Sequence, residues 1–145
     1  MKTTNPPKPL FDTLECLKEQ TEEALFWRYL DAAYSVDDIL VAARFLQAYK
    51  GSQGTFNAYR REVERFLHWS VLEAKKSLCN LGREDVEQFI EFCQAPPKSW
   101  IGTSKPARFI LKDGARVPNP AWRPFVATVS KAAHRRGDTP NIKTF

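Results

Sequence analysis

Cysteine is scarce in this sequence and unpaired by motif: Cys16, Cys79 and Cys93 form no CxxC and no Cys/His spacing, which argues against a disulfide framework and a zinc knuckle. Buried reduced thiols are the expectation. No apolar run approaches the roughly 20 residues of a membrane span, and the opening MKTTNPPKPL lacks a signal peptide's apolar stretch. A cytoplasmic protein with no membrane partner is expected. Nucleotide-cradling loops are missing as well, since the chain holds neither GxxxxGKS/T nor GxGxxG. Its two histidines, His68 and His134, have no HExxH, no nearby cysteine pair and no carboxylate orienter, and Glu62 and Glu64 point to different sides of one predicted helix. No catalytic residue, cofactor, metal site or small-molecule substrate is therefore expected.

Two further scarcities divide the chain. Proline is absent from 10 to 95, with three prolines before that stretch and seven after it, and proline interrupts helices. Acidic residues nearly vanish from 95 to 145, which hold ten Lys and Arg against two Asp and Glu, net +8; residues 1 to 94 hold twelve against fifteen, net −3. A helical body followed by a long basic arm is the expectation. Its 43% hydrophobic residues, with ten Phe, four Trp and four Tyr, suffice for one folded core of ordinary domain size in 145 residues.

Four helices are predicted in an all-α body. The first, near 12–32, opens at Asp12 with Glu15 in a capping-box spacing and carries Leu14, Leu17, Thr21, Ala24 and Leu25. The second, near 35–50, opens at Ser35 with Asp37 and Asp38 at the positive end of the helix dipole, and Ile39, Ala42, Ala43, Leu46 and Tyr49 form its apolar face. The third, near 55–74, places Phe56, Tyr59, Val63, Phe66, Leu67 and Ser70 within one arc of about 100°. Asn57, Arg61, Arg65 and His68 lie opposite, with Glu64 at the edge and Arg60 on the flank. The fourth, near 83–94, turns Val86, Phe89, Ile90 and Cys93 inward and Glu84, Asp85, Glu87 and Glu91 outward. In the arm, Asp113-Gly114 between short apolar or β-branched runs predicts a β-hairpin near Phe109 to Val117, and Trp122 and Phe125 are expected to dock on the helical body.

Spread-out cations with planar arginines suit a phosphate backbone better than a compact pocket. The run from Thr55 through Tyr59, Phe66 and Trp69 resembles the T-x-x-x-Y-x-x-x-x-x-x-F-x-x-W helix in the N-terminal core-binding domain of tyrosine recombinases, the phage integrase family. Agreeing features are the capped helix and GSQG turn before it, then Leu78, Leu81 and Arg83-Glu-Asp-Val86. Pro96-Pro97-Lys98-Ser99-Trp100-Ile101-Gly102 and Trp122-Arg123-Pro124-Phe125 are similar to an insertion in a bacterial subgroup of these recombinases. The resemblance covers about 36 to 130. It implies a small SAM-like helical bundle that forms half of a clamp around double-stranded DNA, working beside other recombinase subunits in a synaptic complex.

The family's catalytic domain, with its tyrosine nucleophile, has no counterpart here. His134 is followed three residues later by Gly137, so no H-x-x-R box exists, and Tyr29, Tyr34, Tyr49 and Tyr59 precede or belong to the binding module. The resemblance thus implies DNA binding for this chain, and recombination or integration for a longer parent. A closing apolar helix after the WRPF block is also missing, leaving either an open core that favours dimerisation or a face covered by the helix near 12–30.

Carried residue by residue, the family's binding surface points to Ser52, Gln53, Thr55, Asn57, Arg60, Arg61 and Arg65, with helix-start amides on phosphate and arginines in the major groove. Lys105, Arg108, Lys112 and Arg116 of the arm are expected on phosphates. Domains are expected at 1–34 (a lead with a candidate helix), 35–95 (the binding domain) and 96–145 (the basic arm). A helical protein-interaction module, its arginines serving only solubility, is the alternative.

Overall fold

The computed structural model describes residues 7–13, 34–128 and 141–142. They divide into a helical unit, Leu10–Phe89, and a second unit that combines residues 7–9 with the chain from Ile90 onward. Three α-helices are joined by five short strands, so the described chain is mixed rather than all-α. The helix expected near 12–32 falls almost wholly outside the described residues; Asp12 and Thr13 themselves lie in irregular chain.

In the helical unit, α1 spans Val36–Gln47 and α2 spans Gln53–His68. Ser52 caps α2, its Oγ accepting from the Thr55 amide at 3.2 Å. The connection between them is tight: a Cβ at Gly51 would meet the Tyr49 hydroxyl and ring, so any larger residue there has to displace that side chain. After His68 the helix does not continue as α to residue 74. Trp69–Ala74 winds as a π-helical turn, and Lys75 stops it in the left-handed region at φ 57°. The Ser70 hydroxyl donates to the Lys76 carbonyl at 2.6 Å, and the Lys76 amide returns to the Ser70 carbonyl at 2.9 Å, closing that end. Helix α3 spans Arg83–Gln94, as its pattern predicts.

The core of this unit is Phe11, Ile39, Ala42, Ala43, Leu46, Phe56 and Leu67. Asp38 is buried here instead of facing water beside the dipole; it accepts from the Ser77 hydroxyl at 3.0 Å and the Leu78 amide at 3.1 Å, tying α1 to the segment after α2.

The inner face of α2 differs from the expected one. Glu64 and His68 are both 0% exposed and Arg65 is 4% exposed, whereas Tyr59 is 43% exposed. Hydrogen bonds make this burial tolerable, because a buried polar group costs little once its partners are in place. Glu64 Oε2 accepts from the Leu10 amide at 2.5 Å and the Phe11 amide at 2.9 Å, and His68 Nδ1 shares a 2.6 Å hydrogen bond with the Tyr34 hydroxyl. Tyr59 is drawn to the rim by an edge-on contact with Tyr49 at 5.3 Å between centroids, and by Phe45 at 6.0 Å.

Val86 and Ile90 of α3, expected inside, are exposed. The expected inner face holds in part: Phe89 meets Phe66 at 5.0 Å and Trp69 at 5.6 Å. Cys93 is buried, but Cys79 is exposed, contrary to the expectation for all thiols, and Cys16 lies outside the described residues.

The second unit holds more β pairing than the hairpin expected of the basic arm. Strand β1 (Ile101–Gly102) runs parallel to β4 (Phe125–Thr128), and β4 runs antiparallel to β5 (Asn141–Ile142). Trp122 and Phe125 are buried, and Phe125 packs within this unit, with Phe92 at 6.3 Å and Trp100 at 6.5 Å. The hairpin of β2 (Phe109–Lys112) and β3 (Ala115–Pro118) forms where the sequence places it.

Candidate nucleic-acid interface

At the start of α2, Ser52, Gln53, Thr55 and Asn57 are all exposed. Their polar groups are partly committed to one another. Ser52 Oγ donates to Thr55 Oγ1 at 3.0 Å while capping the Thr55 amide, and Gln53 Nε2 donates to Asn57 Oδ1 at 3.0 Å. The helix-start amide of Thr55, expected to face phosphate, is therefore already capped.

The three arginines of this helix fare differently. Arg60 lies over the Phe56 ring at 5.4 Å and donates to the Asp12 carbonyl at 2.9 Å and to Asn57 Oδ1 at 3.3 Å. Arg61 is exposed and donates to Glu62 Oε2 at 3.0 Å. Arg65 is buried and shares the same Glu62 oxygen at 3.1 Å. Helical periodicity puts Arg61 and Arg65 one turn apart, but it does not put them on a common open face. The open face expected for Arg65 is replaced by burial, and its guanidinium does not present a surface to a groove.

In the second unit, Lys105, Lys112 and Arg116 are exposed and Arg108 is half-buried. Asp113 (φ 54°) and Gly114 (φ 79°) both adopt positive φ, the signature of a type I′ turn whose twist matches the flanking strands. The register pairs Lys112 with Ala115, Leu111 with Arg116, Ile110 with Val117 and Phe109 with Pro118. Side chains alternate along each strand, so Phe109, Leu111, Arg116 and Pro118 share one ribbon face. The Arg116 guanidinium lies over the Phe109 ring at 5.9 Å, and that of Arg108 over Trp122 at 5.1 Å. At the base of the ribbon, Asn119 Nδ2 donates to the Ala107 carbonyl at 2.9 Å and the Asn119 amide to the Arg108 carbonyl at 2.8 Å.

Sequence reasoning passed over Leu111. It is 72% exposed, the most exposed large hydrophobic side chain among the described residues. The available signal was its position, the second residue before a two-residue turn; among the described residues no third strand pairs with this ribbon. Arg123 also escaped the candidate set; its Nη1 donates to the Pro120 and Trp122 carbonyls at 2.7 and 2.8 Å and so fixes the PAWRPF loop.

Charge separates the two surfaces. Between 95 and 128 stand Lys98, Lys105, Arg108, Lys112, Arg116 and Arg123 against a single carboxylate, Asp113. In the helical unit carboxylates are woven among the cations. Lys76 pairs with Asp85 at 3.0 Å, and the Gly82 amide and this lysine hold the Asp85 carboxyl below the usual carboxylate range.

Among the described residues no group of three or more His, Cys, Asp or Glu is placed to hold a metal ion, and no helix is long and apolar enough to cross a membrane. Comparison with protein-family models, curated proteins and solved structures finds no match for this chain.

Proposed function

We infer that this chain is a DNA-binding module that works like the N-terminal core-binding domain of a tyrosine recombinase. In this reading the helical unit is the SAM-like bundle, and the chain contacts double-stranded DNA in the cytoplasm beside other recombinase subunits, without catalysis or cofactor of its own. The observation that carries the reading is the cationic second unit, with six Lys and Arg facing one carboxylate over residues 95–128. Such a surface neutralises phosphates and releases condensed counterions, which supplies sequence-independent affinity. Exposed Ser52, Gln53, Thr55, Asn57 and Arg61 add a polar strip of a kind that hydrogen-bonds phosphate oxygens.

Fluorescence anisotropy on a labelled duplex tests this. Affinity is expected to fall steeply and linearly in a log–log plot against salt. A flat salt response, or no binding at low salt, overturns it.

One observation favours a second reading. Val41, Phe45 and Tyr59 are exposed large hydrophobics of the helical unit, and Phe45 and Tyr59 touch. A partner helix docked there makes the chain a protein-interaction module, whose hallmark is tight, salt-insensitive protein binding.

A further inference from the structure

Leu111 is 72% exposed, and its neighbour Ile110, on the opposite face of the ribbon, is also exposed. Exposed Lys112 follows them and the turn comes next. An apolar side chain gains nothing from water at this position, yet a stiff support holds it there. Asp113 and Gly114 keep the turn at two residues with positive φ, and the strand register runs unbroken from Lys112–Ala115 to Phe109–Pro118. Asn119 closes the base of the ribbon through the Ala107 and Arg108 carbonyls. The charge around the ribbon names its occupant. Over residues 95–128 six Lys and Arg stand against one carboxylate, so a partner has to bring negative charge together with a place for an apolar tip. Duplex DNA offers both: rows of phosphate outside and, between stacked base pairs, an apolar interior that a leucine can enter from the minor groove.

We propose that Leu111 is a wedge: it enters the minor groove of duplex DNA, parts two stacked base pairs and bends the helix toward its major groove, while Lys105 and Lys112 hold phosphates. The proposal rests on the DNA-binding reading above and adds an activity to it, DNA bending. Two opposing effects set the outcome. Burial of a leucine away from water favours insertion, and the lost base stacking opposes it. DNA that is already unstacked at one step therefore binds more tightly than intact duplex. Leucine reads no hydrogen-bond pattern, so any preference among sequences follows deformability, with the pyrimidine–purine steps TA and CA/TG parting most readily. The stiff turn and latched base matter because a loose hairpin would yield before the base stack does.

The full chain is titrated into a short duplex that carries one central TA step and a donor and an acceptor dye at its ends. Energy transfer is expected to rise on binding, and the thymines of that step to become reactive to permanganate, which attacks unstacked thymine. A duplex with a single mismatch at the step is expected to bind roughly tenfold more tightly. Leu111→Ala changes an exposed position and leaves the cores untouched. It is expected to abolish the bend, the permanganate reactivity and the mismatch preference together, while the salt slope stays as in wild type because Lys105 and Lys112 remain. Leu111→Met keeps a wedge and is expected to retain all three. Binding to duplex without a bend, or a bend that survives Leu111→Ala, overturns the wedge and leaves DNA binding standing. Failure of the wild-type chain to bind any duplex overturns both. Sedimentation of the chain alone addresses a different occupant: self-association that Leu111→Ala abolishes, with no bend in DNA, gives the ribbon to a second copy of this chain and overturns the wedge.

Discussion

Glu64 accepts a 2.9 Å hydrogen bond from the backbone amide of Phe11, a residue 53 positions earlier in the chain. The same Oε2 takes the Leu10 amide, so one buried carboxylate fixes the strap that carries Phe11 into the core formed by α1 and α2. Two amides lose their acceptor in Glu64→Ala, and a buried unsatisfied donor costs about 1–3 kcal/mol. Phe11→Ala removes a fully buried ring, a change worth roughly 3–5 kcal/mol. Both variants are expected to unfold at lower urea than wild type. Because the strap joins the two sites, the double variant should be less destabilised than the sum of the singles, which a double-mutant cycle measures. Additive losses would show that strap and ring act independently.

Asp85 sets a pH dependence. Its carboxyl is held below the usual carboxylate range first by the Gly82 amide and then by Lys76. A depressed folded-state pKa means that the unfolded chain binds the proton more readily. The stabilisation is therefore complete above the unfolded-state carboxylate pKa and is lost as pH falls through the lower, folded-state value. Asp85→Asn should flatten the acid limb of a plot of stability against pH while leaving the neutral-to-alkaline limb unchanged. An unaltered acid limb would mean that other carboxylates carry it.

What the sequence disclosed was local. Ser35 and the 3.6-residue spacing placed α1, α3 and the start of α2 within a few residues of their bounds, and Asp113-Gly114 located the hairpin, since a type I′ turn needs residues that tolerate positive φ. The orientation of α2 escaped because it is decided at a distance. Glu64 and His68 read as surface residues until the Phe11 amide and the Tyr34 hydroxyl arrive from 53 and 34 positions away. The second unit escaped for a related reason. Its core joins Phe92, Trp100 and Phe125, widely separated aromatics in a proline-interrupted stretch with no periodicity, and its β1–β4 pairing is parallel and long-range. The candidate site inherited both failures: Arg65 was placed on a face that is buried, and Leu111 was overlooked.

The two candidate surfaces predict different salt responses. Lys105 and Lys112 are exposed in the stretch 95–128, whose one carboxylate is Asp113, whereas Arg61 is paired with Glu62 at 3.0 Å. Each phosphate contact contributes about 0.9 to the log–log salt slope on duplex DNA. Lys105→Gln together with Lys112→Gln should therefore shallow the slope by roughly two units, and Arg61→Gln by well under one. Equal changes would place the helical strip and the β unit on the phosphate backbone alike.

The rigidity of the ribbon depends on Gly114. At φ 79° it occupies a conformation that L side chains rarely adopt, although the space around its Cα is open. Gly114→Ala thus tests backbone strain without steric collision, and a non-glycine residue there costs about 1–2 kcal/mol. The two-residue turn fixes the pairing of Leu111 with Arg116, so its loss should loosen the rung without disturbing the helical unit. The expected result is a selective one: amide exchange accelerates in β2 and β3, exchange in α1 and α2 is unchanged, and DNA affinity drops by a few-fold as the ribbon must be ordered again on binding. Gly114→Asn supplies the control, because asparagine tolerates the left-handed region better than alanine. It should restore most of the exchange protection and, with it, the affinity. Restored protection with unrecovered affinity would separate the turn's structural role from binding and count against the ribbon as a contact surface.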